Sequence, residues 1–258
     1  MEGTDDLRTL LHGLKGEVLL ALAAEGSAER FARMLAEFRA GTPAAYLAGF
    51  FYFMGEFFTI DARAYITDGE AEHLVRAVIA EAQAFTADTG RAPRILEIGT
   101  GAGTLALTVK KALPGSIVYG SDVDPDALDV AVENANLQRC ELKLLEGSLL
   151  DPWPEAEPPD IVFADPPWGT REDLYDDERD AAFYDRMPEL SAYPAEGRTA
   201  LHEAIVADYA ARGWTCRLLM NFGVIDVETV KKVVAPLQAS LIHPIPGITV
   251  AICRGPRS

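Results

Sequence analysis

Apolar positions recur at helical spacing near the N-terminus and at strand spacing from about residue 94 onward. Two helices are predicted over 5–24 and 27–39. In the second, Phe31, Met34, Leu35 and Phe38 share one face. Ser27 ahead of Glu29-Arg30 marks its start, and Gly41-Thr42-Pro43 stops it. Residues 46–66 break this period. They are rich in aromatic and β-branched side chains around Gly55-Glu56 and predict a β-hairpin. A further helix is predicted over 69–87, with Leu74, Val75, Val78 and Ile79 on one face.

Beyond this point strands and helices alternate. RILEIG (94–99) reads as a strand and GTLALTVKKAL (103–113) as a helix; SIVYGSD (116–122) is a strand and PDALDVAVENANL (125–137) a helix opened by Pro125. Strands follow at LKLLEG (142–147) and DIVFADPP (160–167), then a helix over 198–212, a strand over 214–221 and a helix over 226–236. Two last strands, near 239–244 and 248–253, are joined by the short connection His243 to Gly247, which predicts a hairpin and an antiparallel strand at one edge. Such alternation with apolar strands is the mark of an α/β fold, a doubly wound, mostly parallel, seven-stranded sheet. The expected organisation is a helical cap (1–45), a β-hairpin (46–66) and a catalytic domain (67–258).

Composition narrows the class. The chain has 258 residues, 49% hydrophobic and 24% charged, enough apolar material for a core and too much for a disordered chain. The acidic N-terminus MEGTDDL is unlike a secretory signal, and no apolar run approaches membrane-spanning length. Cys140, Cys216 and Cys253 are widely spaced, which argues for a reducing, cytoplasmic setting rather than a disulfide scaffold or a thiolate zinc site. The four histidines have no metal-ligand spacing, so no metal is expected. A net charge of −17 argues against nucleic acid as a partner, because non-specific affinity for it is mostly electrostatic. It favours small molecules, cationic substrates or proteins.

Three segments carry chemistry. The first is Glu97-Ile98-Gly99-Thr100-Gly101-Ala102-Gly103, a glycine-rich turn from strand into helix that lets a cofactor approach the backbone closely. The second is Asp122, at the end of the next strand and 23 residues after Gly99, where a carboxylate can accept from both hydroxyls of a ribose. Turn and acid together serve a nicotinamide or a sulfonium nucleoside equally well. The third is Asp165-Pro166-Pro167-Trp168, following the strand DIVFA. Two prolines stiffen the backbone and remove two N–H donors, so the Asp165 side chain and the Pro166 carbonyl can act as paired acceptors for a planar –NH2 group. Trp168 offers a face for stacking or for a cation.

In this order the three segments resemble class I S-adenosylmethionine-dependent N-methyltransferases, and within them the HemK/PrmC type, the protein-glutamine N5-methyltransferases of release factors. Pro43-Ala-Ala-Tyr46-Leu47-Ala-Gly49 and Phe53-Met-Gly55-Glu-Phe57-Phe58 extend the resemblance upstream. The resemblance implies a Rossmann-like methyltransferase fold, S-adenosylmethionine as cofactor and S-adenosylhomocysteine as product. It implies cofactor contacts from Glu97, Gly99, Thr100, Gly101, Gly103, Asp122, Val123, Ser148 and Leu149, with Val123 and Leu149 flanking the adenine. It implies acceptor handling by Asp165, Pro166, Pro167 and Trp168, and a hairpin beside the substrate. The chain departs from the family pattern in having Asp165 and Trp168 where Asn and Tyr are usual, Thr67-Asp68-Gly69-Glu70-Ala71-Glu72 in place of a Pro-Arg-Pro-Glu-Thr-Glu segment, and Ser148 where an acid often stands.

These departures shape the expected acceptor. An ionised Asp165 favours a positively charged nitrogen, and residues 171–185 (REDLYDDERDAAFYD) carry seven acids, Glu178 among them, against two arginines. A small arginine-like guanidine or amine metabolite is therefore the first expectation, with Glu178 as a further substrate contact. A protein glutamine is the alternative, and an adenine amine in nucleic acid comes last. A nicotinamide-dependent oxidoreductase and a non-catalytic nucleoside-binding protein are the competing classes, both disfavoured by Asp165-Pro-Pro-Trp168. No sequence feature fixes the oligomeric state.

Overall fold

A computed structural model describes residues 16–154, 156–168, 181–192 and 197–256. The first predicted helix is described from its second half, α1 (Gly16–Ala23). Next comes α2 (Ala28–Arg39), capped as its sequence predicts: the Ser27 hydroxyl accepts from the Arg30 amide at 3.2 Å. The predicted hairpin region is shorter than 46–66, because it opens with a helical turn, α3 (Ala44–Ala48), ended by left-handed Gly49. The ribbon itself is β1 (Phe50–Phe53) and β2 (Glu56–Thr59). Met54 and Gly55 both have positive φ, 46° and 100°, the two-residue turn whose twist matches a hairpin.

A 3₁₀ turn (Gly69–Ala71) leads into α4 (Glu72–Thr89). Then follow β3 (Arg94–Ile98), α5 (Thr104–Ala112), β4 (Ile117–Asp122), α6 (Pro125–Gln138), β5 (Lys143–Glu146) and β6 (Ile161–Ala164). Two short helices not expected from the sequence, α7 (Ala181–Tyr184) and α8 (Glu189–Ala192), precede α9 (Ala200–Ala211). The chain continues through β7 (Arg217–Asn221), α10 (Val227–Val233), β8 (Leu237–Ile242) and β9 (Val250–Pro256).

The seven-stranded sheet has the order β5-β4-β3-β6-β7-β9-β8. Neighbours from β5 through β7 pair parallel, while β9 pairs antiparallel with both β7 and β8. This corrects one expectation: the reversed strand is β9, one place in from the edge, and the edge strand β8 runs with the others. The connection from His243 carries the chain back between β7 and β8, where β9 gains partners on both sides.

The strands are apolar on both faces because both are covered. Ile95, Ile161, Phe163, Leu219 and Val250 join a core with α1, the hairpin, α4, α5 and α6. Their neighbours Leu96, Val162, Leu218, Met220 and Ala251 join a second core with α9, α10 and Trp153. Successive side chains of one strand thus enter different cores, which is why these strands read as unbroken apolar runs. Sheet order reverses between β3 and β6, so the loops leaving their C-terminal ends open a crevice there, the place where open α/β sheets bind ligands. Among the described residues no helix is long and apolar enough to cross a membrane.

One buried side chain fastens the ribbon to this frame. Asn134 of α6 is fully buried; its Nδ2 donates to the Thr59 and Ala102 carbonyls at 3.0 and 2.9 Å, and its Oδ1 accepts from the Thr59 amide at 2.7 Å. Asn134→Ala strands the buried Ala102 carbonyl and frees β2. The expected loss is about 2 kcal/mol, from roughly 1–3 kcal/mol per unsatisfied buried group. Urea unfolding read against the wild type measures it, and faster amide exchange at Thr59 locates it.

Candidate functional site

A cavity opens at the crevice between β3 and β6. The turn after β3 supplies one wall, with Glu97, Gly99, Thr100 and Gly101 lining it. Gly99 and Gly101 have φ of 69° and 53°, and a Cβ built on either would meet no atom within 4 Å. Backbone conformation therefore demands glycine at both positions, and both leave open space on the cavity side. Gly103 differs from the expectation. It does not line the cavity, and its Cβ would stand 3.1 Å from the Ala131 side chain, so the third glycine serves to pack α5 against α6.

Two carboxylates hold this turn in shape. The Glu97 Oε2 accepts from the Thr100 hydroxyl at 2.6 Å and from the Ala106 amide at 3.0 Å. The Asp122 Oδ2 accepts from the Gly101 amide at 2.8 Å, while its Oδ1 accepts from the Asp124 amide at 3.0 Å. Asp122 lines the cavity beside Val123, which is half-exposed, and Ser148 and Leu149 complete that end. The exposed apolar faces of Val123 and Leu149, the acid between them and the glycine turn, and the free space above Gly99 and Gly101 fit a nucleoside-bearing cofactor.

The opposite wall is the segment after β6. Asp165, Pro166, Pro167 and Trp168 all line the cavity. Asp165 is partly buried and lines the cavity. Its Oδ1 accepts from the Asn221 amide nitrogen at 2.9 Å. The Trp168 ring lies over Gly223: a Cβ there would stand 2.5 Å from its Cζ2. The sequence reading missed Asn221 and Gly223. A polar residue closing the apolar strand RLLMN, followed two places later by glycine, was the available signal. Further lining comes from Tyr65, Thr67 and Asp68 before α4, from Leu190 and Ala192 of α8, and from Leu201 and Ile205 of α9. Glu178 and the acids of 171–180 lie outside the described residues, as does His12.

The site is electronegative. Burial pushes the Glu97 carboxyl well above its ordinary range, against the hydrogen bonds from Thr100 and Ala106, and Asp165 and Asp122 push it the same way. Burial also raises Asp122. Asp165 is raised to about 6, chiefly by burial and further by Asp68 and Glu70, while the Asn221 hydrogen bond opposes the rise. Arg63 also lines the cavity, but it is tied to Asp61 and Glu133 at 2.7 and 2.9 Å. Behind Asn221, the fully buried His202 lies 2.8 Å from its carbonyl, so Nε2 carries the proton. Burial lowers His202 to about 4, and it stays neutral. No group of acids, histidines and cysteines suited to a metal occurs among the described residues.

Residues 77–180 match the family described as methyltransferase small domain. The release factor glutamine methyltransferase of Deinococcus radiodurans is 33% identical over 172 residues, 67% of this chain and 58% of that protein. The protein of the same name from Lactococcus lactis is 28% identical over 173 residues, 67% of this chain and 60% of that protein. The chain thus spans less than two thirds of these curated relatives. Among solved structures, a delta-N METTL16 methyltransferase domain aligns with a TM-score of 0.54 at 14% identity, covering 95% of this chain and 98% of that one. The hMettl16 catalytic domain in complex with a MAT2A 3′UTR hairpin aligns with a TM-score of 0.54 at 15% identity, covering 78% and 76%. At such identity the likeness is one of fold: a seven-stranded, Rossmann-like methyltransferase sheet.

The raised Asp165 carboxyl has a consequence for stability. Ionising it costs more in the folded chain than in the unfolded one. That cost is absent below the ordinary carboxylate value and grows as pH rises through about 6. Asp165→Asn is expected to match the wild type at pH 4 and to exceed it by on the order of 2–3 kcal/mol at pH 8, since each tenfold change in the ionisation equilibrium is worth about 1.4 kcal/mol. Urea unfolding at the two pH values reads the difference; equal gaps at both would exclude the buried charge as its source.

Proposed function

We propose that this chain, which resembles the class I methyltransferases of the HemK/PrmC type, transfers a methyl group from S-adenosylmethionine to the side-chain amide nitrogen of a protein glutamine. The observation that carries the reading is the position of Asp165. It directly follows the strand across the switch point from the glycine turn, has one oxygen held by Asn221 and lines the cavity. The names of the curated relatives support a protein glutamine as acceptor over the small cationic metabolite that the sequence favours.

S-adenosylmethionine, when bound, supplies an electrophilic methyl group on a sulfonium. Everything else falls to the chain. Gly99 and Gly101 keep the turn free of side chains where the cofactor must approach. Asp122 keeps a lone pair on each oxygen for ribose hydroxyls, since each oxygen accepts one backbone amide. Val123 and Leu149 give the adenine two apolar faces. Asp165 and the Pro166 carbonyl accept from the two N–H bonds of the acceptor and so fix the direction in which its nitrogen faces; positioning of this kind is the largest contribution available to a reaction whose electrophile is already activated. Transfer releases one proton from that nitrogen, and the Asp165 carboxylate, raised toward neutrality, is suited to take it. Trp168 closes the wall and excludes water.

A neutral amide also suits the carboxyl's burial. A guanidinium would have to be stripped of water beside a half-buried acid, whereas an amide donates its hydrogen bonds without that cost. Asp68 and Glu70 pull the other way and favour a cation, so both acceptor classes belong in the assay.

Labelled-methyl transfer is expected onto a glutamine-bearing release-factor peptide or intact release factor. It is not expected onto arginine-like metabolites, amines or oligonucleotides. Labelling confined to the metabolites would restore the small-molecule reading. Asp165→Ala should lower turnover at least a thousandfold while calorimetric affinity for S-adenosylmethionine stays within a few-fold.

A further inference from the structure

We propose that Asn221 is a positioning residue for Asp165: its amide nitrogen holds one carboxylate oxygen and leaves the other free to meet the acceptor nitrogen. The inference rests on the reading of Asp165 given above and extends it to a residue on a different strand.

The Asn221 side chain has no freedom to turn its amide round. It is buried, 5% exposed, at the end of β7. Its Oδ1 accepts from the Gly223 amide at 3.1 Å, which obliges Nδ2 to face the other way, toward Asp165 Oδ1 at 2.9 Å. The backbone is pinned as well: the Asn221 carbonyl accepts from His202, the Phe222 amide donates to the Thr249 carbonyl at 2.9 Å, and the Thr249 amide donates to the Gly223 carbonyl at 3.1 Å. A donor thus oriented by its surroundings selects one carboxylate oxygen and one rotamer of Asp165. The second oxygen accepts no hydrogen bond among the described residues and belongs to a residue that lines the cavity.

The same contact governs charge. The described groups that bear on Asp165 are Asp68 and Glu70 from the segment before α4, Glu97 from β3 with Asp122 beyond it, and neutral His202 of α9 behind Asn221. Burial, Asp68 and Glu70 oppose its ionisation. Asn221 is the donor set against them. Two tasks therefore meet in one amide: to aim the carboxylate and to keep it ionised at neutral pH. Gly223, two residues on, receives the Trp168 ring, so the same short segment after β7 seats both ends of Asp165-Pro-Pro-Trp168.

Two variants separate this role from simple packing. Asn221→Leu removes the donor to Asp165 and the acceptor for the Gly223 amide without adding charge. Asn221→Asp keeps the acceptor but sets a second carboxylate against Asp165, so its upward shift includes like-charge repulsion and it serves as the comparison should the first variant fail to fold. The Asp165 carboxyl is followed by carbon NMR, assigned with Asp165→Asn, and the acid limb of kcat/KM is measured in parallel with S-adenosylmethionine affinity. In the folded variants the carboxyl midpoint and the acid limb are expected to move together to higher pH, at least tenfold in proton concentration, with kcat falling at least tenfold and cofactor affinity within threefold. An unchanged midpoint in either folded variant overturns the inference. A shifted midpoint in a protein whose wild type methylates none of the acceptors leaves Asn221 in control of Asp165 and overturns the proposed reaction instead.

Discussion

The site depends on backbone amides bound by buried carboxylates. The turn after β3 places Gly99, Gly101 and Gly103 at positive φ, closed locally by one bond, from the Gly103 amide to the Thr100 carbonyl at 2.8 Å. Glu97 and Asp122 hold it, each accepting from an amide of the turn or of the helix that follows. Glu97 does so from a position on β3 whose neighbours in register are apolar. Its carboxyl is fully buried and driven well above its ordinary range. A buried acid is tolerable there because the turn and the start of α5 present donors that otherwise lack partners.

From that constraint the rest of the crevice follows. A turn held rigid at the end of β3 leaves a gap toward β6, because the next strand in sequence, β4, pairs on the other side. Asp165 stands on the far side of the gap, and it too is an acid, half-buried, with an oriented donor, Asn221. The two sides answer the same problem in the same way: a carboxylate sits in a poorly hydrated place and is held by a donor supplied from a neighbouring element. Asp165 and Asp122 raise the cost of ionising Glu97, and Asp68 and Glu70 raise that of Asp165. The site is suited to a ligand that brings positive charge, as a sulfonium does, or many hydrogen-bond donors.

Much of this was legible in the chain. The strands from 94 to 167 carry unbroken apolar runs, which only a sheet covered on both faces produces, and the glycine turn, Asp122 and Asp165-Pro-Pro-Trp168 fall at the C-terminal ends of those strands because that is where a parallel sheet exposes its loops. Other parts were not. Asn134, Asn221 and Gly223 act across 32 to 75 residues of chain or through space to a ring, and a lone Asn at a strand end or in a helix has no periodic signal. Gly103 reads in sequence as one of three equivalent glycines; only its contact with Ala131 sets it apart.

Sequence alone determined the strand–helix alternation and the glycine turn and acids at the C-terminal ends of the strands, because local periodicity and turn residues encode these within a few positions. It misplaced the reversed strand and favoured a small cation as acceptor. Tertiary structure decided the insertion of β9 between β7 and β8, the carboxylate oxygen that Asn221 occupies and the environment that lifts Asp165 to about 6. Those properties arise from burial and from hydrogen bonds between residues distant in the chain, and such energies exist only once the elements have packed.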